Sequence, residues 1–235
     1  MRDNSFQFKQ FAVAHDKCAM KVNTDGVLLG AWQNVNEATR ILDIGTGCGV
    51  IALMMAQKNH TANIDAIDID FDAIEQAKEN FSNSPWHNRL TAIHCAAQEF
   101  APGKKYDLII SNPPYFIADF QNPDHKKNVA RHGVTLNYED LVKVFVRLLT
   151  VNGKALVAIP VFNFSIFESL ANGQNLFVTG YTEVVATAGK PPYLALIQLE
   201  KSNQIPFKTV LQIQEANGKF TSAYKDLTKD FYLKF

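Results

Sequence analysis

Residues Ser111 to Phe116, "SNPPYF", close an apolar run, "YDLII", that reads as a buried strand. Two prolines forbid continuation of a sheet. The groups they hold suit one kind of chemistry. The Asn112 side-chain oxygen and the Pro113 backbone carbonyl are two hydrogen-bond acceptors, the second fixed by rigid rings, and Tyr115 offers a flat face. An amine conjugated to a ring or a carbonyl has a delocalised lone pair and is a poor nucleophile. An acceptor on each of its N–H groups draws the nitrogen toward pyramidal geometry and frees that pair. Asn112, Pro113 and Tyr115 are therefore the expected catalytic residues, with Tyr115 also stacking on a planar NH₂-bearing substrate. No strong base is required, because the substituted nitrogen loses its proton readily afterwards.

The electrophile is suggested upstream. In "LDIGTGCGV" (residues 42–50), Gly45, Gly47 and Gly49 permit a sharp turn and close approach of backbone to a ligand, with Thr46 between them. The spacing is G-x-G-x-G, not that of dinucleotide binders, and Asp43 precedes it within the strand. A pyrophosphate has little use for that carboxylate; a cationic cofactor or an amino-acid head group does. Asp68 falls 23 residues after Gly45, where a second strand should end, and can accept from vicinal ribose hydroxyls. These residues resemble the class I S-adenosylmethionine (SAM) methyltransferases. The resemblance implies SAM as cofactor and places Ala96 and Ala97, in "HCAAQEF", against its adenine. Related enzymes often carry an Asp where Ala97 stands, so here the adenine contact is left to backbone groups.

Methyl transfer to a conjugated NH₂ still admits adenine or guanine in RNA or DNA and the glutamine side chain of a protein. Residues 8–32, "NPPY" and "SAYKDLTKDFYL" (222–233) together look like the bacterial tRNA1(Val) adenine(37)-N6-methyltransferase family, end to end. That resemblance implies the 6-amino group of the adenine just 3′ of the valine tRNA anticodon. A protein glutamine N5-methyltransferase is the alternative. Such enzymes generally carry a helical domain ahead of the catalytic one, whereas about 35 residues precede the first core strand here. A single flipped loop base needs a local basic rim. Candidates are Lys126, Lys127 and Arg131 after the motif, Lys190 beside Pro191-Pro192, and Lys21. Thr24 is expected to contact SAM, or, with Asp25, to cap a short helix. Tyr224, Phe231 and Tyr232 read as core of an amphipathic stretch before they read as a base-stacking set.

The elements that must position these groups follow from periodicity. Apolar strands at "TRILDIG", "NIDAIDI", "RLTAIH", "YDLIISN" and "GKALVAIP" alternate with helical patterns, and "TEVVATAGKPPYLALIQLEK" reads as two strands around a Lys-Pro-Pro turn. The fold class is α/β, a doubly wound, mostly parallel seven-stranded sheet with an antiparallel C-terminal hairpin. With 235 residues, 47% of them hydrophobic and no linker, one domain over 1–235 is expected, with 1–36 as a lid or substrate segment. Net charge is zero, but residues 1–120 carry 10 basic against 14 acidic groups and 121–235 carry 13 against 9, compatible with a polyanion on one side. Cys18, Cys48 and Cys95 form neither a disulfide framework nor a zinc pattern and read as core thiols, so no metal is expected. The start has no signal-peptide pattern and no run is long enough to span a membrane. A cytoplasmic protein, monomeric or weakly dimeric, with tRNA as partner is the expectation.

Overall fold

The computed structural model describes residues 5–18, 20–114 and 136–234. The alternating start folds as a small antiparallel hairpin, β1 (Ser5–Gln7) and β2 (Ala12–Ala14). It is followed by α1 (Thr24–Ala31), whose N-cap is Asn23: the Asn23 side chain accepts from the Gly26 amide at 2.8 Å. The cap expected at Thr24 or Asp25 thus lies one position earlier, because Asn23 holds the extended backbone (φ −130°, ψ 165°) that a capping residue needs.

The apolar runs then form β3 (Arg40–Ile44), β4 (Asn63–Asp68), β5 (Leu90–His94), β6 (Tyr106–Ser111) and β7 (Leu149–Pro160), all mutually parallel. Between them run α2 (Val50–Lys58), α3 (Phe71–Ser82) and α4 (Tyr138–Leu148). After α5 (Phe164–Asn172), β8 (Phe177–Thr187) and β9 (Leu194–Glu200) make the expected antiparallel hairpin, and β9 inserts beside β7. The sheet order is β10-β8-β9-β7-β6-β3-β4-β5, so the sheet has eight strands, one more than expected. The strand beyond those seven is β10 (Phe207–Gln214), the run "FKTVLQIQ", which reads as a strand in the sequence and pairs parallel to β8. It docks closely because Gly180 has no side chain: a Cβ there would lie 1.9 Å from the Phe207 ring. A short C-terminal helix, α6 (Ser222–Thr228), follows.

Alternation along each strand divides the core between the two faces of the sheet. Ile41, Ile64, Leu108 and Leu156 pack with α1 and α2, and with Phe8, Phe11, Val13, Tyr224 and Phe231 from the chain's two ends. Leu42, Ile44, Ile109 and Val157 pack with α4 and α5 on the other face. Tyr224 and Phe231 are therefore core, as expected from their spacing. The direction of winding reverses between β3 and β6, and a crevice opens there at the carboxyl ends of the strands.

Candidate active site

A cavity of about 300 Å³ lies over the ends of β3, β4, β5 and β6. Its floor is the turn after β3. Gly45 and Gly47 stand at φ +70° and +54°, and a Cβ on either would meet nothing within 4 Å, so the space above them is open to a ligand. Gly49 differs. It caps α2 at φ +83°, and a Cβ there would strike the Phe81 ring at 2.5 Å. The missing side chain lets α2 pack against α3, and Gly49 is not among the residues on the cavity wall. The Gly45 and Thr46 amides both donate to the Ile67 carbonyl (2.9 and 3.0 Å), tying the turn to β4.

Asp43 lies beneath this turn, fully buried, and does not line the cavity. The Thr46 hydroxyl donates to its Oδ2 at 2.6 Å. Oδ1 makes no hydrogen bond of normal length among the described residues. Burial pushes the carboxyl up to about 7, against the pull of the Thr46 hydroxyl and the Ala52 amide. Thr46, which is on the cavity wall, connects the cavity to Asp43. Asp68, at the end of β4, reaches the cavity directly and also orders the turn: the Gly47 amide donates to its Oδ2 (2.8 Å) and the Asp70 amide to its Oδ1 (3.0 Å). A carboxylate has about four lone-pair sites, so capacity for two hydroxyls remains.

At the end of β6 the Ser111 hydroxyl donates to the Ile44 carbonyl at 2.9 Å, clamping the two strands that bound the switch point. Asn112, Pro113 and Pro114 follow on the cavity wall. The Asn112 side-chain oxygen is buried and has no hydrogen-bond partner among the described residues. A buried acceptor without a donor is costly in a folded protein and leaves a lone pair available to an N–H in the cavity. The third wall is the segment after β5. Ala96, Ala97 and Gln98 line the cavity, and the Arg147 guanidinium of α4 holds the carbonyls of Ala97, Gln98 and Phe100 at 2.6–3.2 Å.

Sequence comparison places this geometry. Residues 21–143 match the family model described as "Methyltransferase small domain". A protein of Bacteroides fragilis (strain YCH46) named tRNA1(Val) (adenine(37)-N6)-methyltransferase is 44% identical over 233 residues, covering 97% of this chain and 98% of that one. A Flavobacterium johnsoniae protein of the same name is 44% identical, covering 97% and 99%. The chain belongs to the tRNA1(Val) (adenine(37)-N6)-methyltransferase family. Among solved structures, a protein from Agrobacterium tumefaciens described as a predicted O-methyltransferase superposes with a TM-score of 0.72 at 17% identity, over 88% of this chain and 96% of that one. A ribosomal protein L11 methylase from Lactobacillus delbrueckii gives 0.54 at 16%, over 75% and 77%. At such identities the likeness is one of fold, the class I methyltransferase sheet.

The remaining sequence candidates of this family member are dispersed. Lys21 lines the cavity. Thr24 does not: it lines a second cavity on the far side of the α1 N-terminus, while its neighbour Asn23 lines the first. Lys190 sits exposed in the β8–β9 turn and lines neither cavity. Tyr115, Lys126, Lys127 and Arg131 lie outside the described residues. Other wall residues carry no clear signal in the sequence. Ile69 is 53% exposed although apolar, and it flanks the cavity beside Asp68. Gln98 lies one residue beyond the alanines and is found by extending that segment. Cys18 and Cys48 both line the cavity, and the neighbouring thiols shift each other, Cys18 upward and Cys48 downward. Cys48 is also core, as expected, but no sequence signal announces a pairing made by two segments thirty residues apart.

Proposed function

We propose that this protein transfers a methyl group from SAM to the exocyclic 6-amino group of adenine 37 in tRNA1(Val). The observation that carries the chemistry is the Asn112 oxygen, buried without a partner on the cavity wall. Full-length similarity to tRNA1(Val) (adenine(37)-N6)-methyltransferases supports the choice of base and RNA over glutamine in a protein.

The residues present fit the cofactor. The open space over Gly45 and Gly47 receives a backbone-close ligand, and a cationic one is favoured by ionisation of Asp43, which Thr46 connects to the cavity. Asp68 accepts ribose hydroxyls with its remaining lone pairs, and Ile69, Ala97 and Gln98 offer a largely apolar slot with one amide for a flat base. When bound there, SAM supplies a sulfonium-activated methyl group open to in-line attack by a lone pair.

The chain's own work is done on the acceptor nitrogen. The Asn112 oxygen and the Pro113 carbonyl each accept one N–H of the amine, orienting its lone pair and reducing its conjugation with the ring. Tyr115 serves as the stacking face. The proton is released to water after transfer, so the site needs no dedicated base. Lys21 at the cavity mouth, with Lys126, Lys127, Arg131 and Lys190, supplies cations for the RNA backbone around a flipped base.

Residues 1–235 act as a single domain in which 1–36 forms a lid or substrate segment over the cavity. The protein works in the cytoplasm as a monomer or weak dimer; no helix among the described residues is long and apolar enough to cross a membrane. Parallel assays with methyl-labelled SAM on total tRNA and on a glutamine-bearing peptide test the reading. Label is expected in tRNA alone, and label in the peptide alone would overturn it.

A further inference from the structure

The second cavity, about 800 Å³ and more open than the first, is lined by aromatic side chains from four separate parts of the chain. Phe6 comes from β1, Tyr193 from the β8–β9 turn, Phe220 from the segment after β10, and Tyr224 and Tyr232 from the C-terminal region. Phe220 stacks on Tyr224 (centroids 5.1 Å apart, 26° between planes), and Tyr232 meets the edge of Phe6 at 6.0 Å. Phe220 and Tyr193 are each 37% exposed, so ring surface remains accessible to solvent, and aliphatic and polar side chains such as Ile213, Leu233 and Gln214 complete the wall.

Three observations say what fits there. The first is continuity with the candidate active site. Gly26 lines the first cavity, and a Cβ on it would lie 3.7 Å from the Asn112 amide nitrogen. The adjacent residue, Asp25, accepts a hydrogen bond from the Tyr193 hydroxyl at 2.8 Å. Asn23 faces one cavity and Thr24 the other, so only the first turn of α1 separates them. The second is charge: Lys234 lines the cavity, Lys219 precedes Phe220, and Lys190 lies in the turn that carries Tyr193, all exposed. The third is chemistry. Aromatic faces with Lys234 beside them match an unpaired nucleobase with its phosphate, because every base has a π-face and RNA loops present bases splayed from their stack.

We propose that this aromatic cavity binds an unpaired base of the RNA substrate next to the target adenine, stacked against Phe220, while the target itself occupies the Asn112 site. This inference rests on the RNA methyltransferase reading above. It makes the α1 N-terminus a wedge between two neighbouring nucleotides, and it assigns the C-terminal segment a part in substrate binding as well as in the core.

The test uses the full chain with an anticodon stem-loop RNA carrying 2-aminopurine beside the target adenine. Phe220 is replaced by Ala, by Met (apolar, no π-face) and by Tyr. The wild type and Phe220→Tyr are expected to quench the fluorophore on binding. Phe220→Ala and Phe220→Met are expected to lose the quench and raise KM for RNA by about 10-fold, with kcat within about twofold and SAM affinity unchanged, in line with the usual worth of base–aromatic stacking. Phe220→Met keeps the apolar volume, so it remains informative where Ala disturbs folding. A wild type that methylates the RNA while Phe220→Met retains both quench and KM would overturn the inference and leave the function standing. A wild type that binds SAM but methylates no RNA would overturn both.

Discussion

Asn112 and Asp68 bound the same cavity, and the proposed function sets them to work on different species, so their variants should separate kinetically. Replacing Asn112 by Ala removes an acceptor that matters most as the amine nitrogen pyramidalises. The kcat is expected to fall by about 10²–10³, the usual loss for one preorganised polar partner, with SAM affinity within about twofold. Asp68→Ala is expected to do the reverse, weakening SAM binding, read by calorimetry, far more than kcat at saturation. Asp43 brings a pH dependence. Its carboxyl is raised by burial from 3.8 to about 7, so whatever stability the protonated form gives is complete below about pH 4 and lost as pH rises through 7. A cationic cofactor favours the ionised form. SAM binding near pH 6.5 is therefore expected to release protons, seen as a calorimetric enthalpy that varies with buffer, and Asp43→Asn should abolish the effect. At this scale the sequence was most informative where one residue type has one use, as with Gly45, Gly47 and Asp68. It misled in "NTD", where three consecutive residues can each cap a helix and only backbone geometry selects Asn23.

The elements bring these residues to one place, and two positions carry much of that task. Arg147 on α4 holds three carbonyls of the segment after β5, which forms the third wall of the cavity. Arg147→Met is expected to cost about 1.5–3 kcal/mol in denaturant unfolding, as for hydrogen bonds to a charged group, and to weaken SAM binding without altering the pH profile. Gly49 combines a left-handed backbone with the Phe81 ring against its α-carbon. Gly49→Ala adds about 1–2 kcal/mol of backbone cost to about 1–3 kcal/mol of overpacking, expected as a clear drop in thermal midpoint. Element types were legible because strand runs and 3.6-residue helical patterns alternate cleanly from β3 to α5. The eighth strand was harder to place. "FKTVLQIQ" announces a strand, but its pairing with β8 depends on the Gly180–Phe207 fit, which no local pattern encodes. Contacts between distant segments, such as Cys18 with Cys48 and Arg147 with residues 97–100, were illegible for the same reason.

Across the whole molecule the two ends of the chain pack on one core. The Lys9 amide donates to the Phe231 carbonyl at 2.8 Å, and the Gln57 side chain donates to the Asp230 carbonyl at 2.8 Å. The segments that most resemble the family in sequence, 8–32 and 222–233, thus meet in one core cluster: Phe8, Phe11 and Val13 pack with Tyr224 and Phe231 beside α1 and α2, outside the sheet. The sheet and glycine turn are shared by methyltransferases of many substrates, as the low-identity structural likenesses illustrate, so substrate choice falls to what surrounds them. Mass spectrometry of nucleosides and mapped fragments from tRNA1(Val) incubated with the protein and SAM tests the whole account most directly. N6-methyladenosine is expected at position 37, and lost when that adenine is replaced by guanine. A methyl group on another atom or position, or none with active SAM-bound protein, would contradict it.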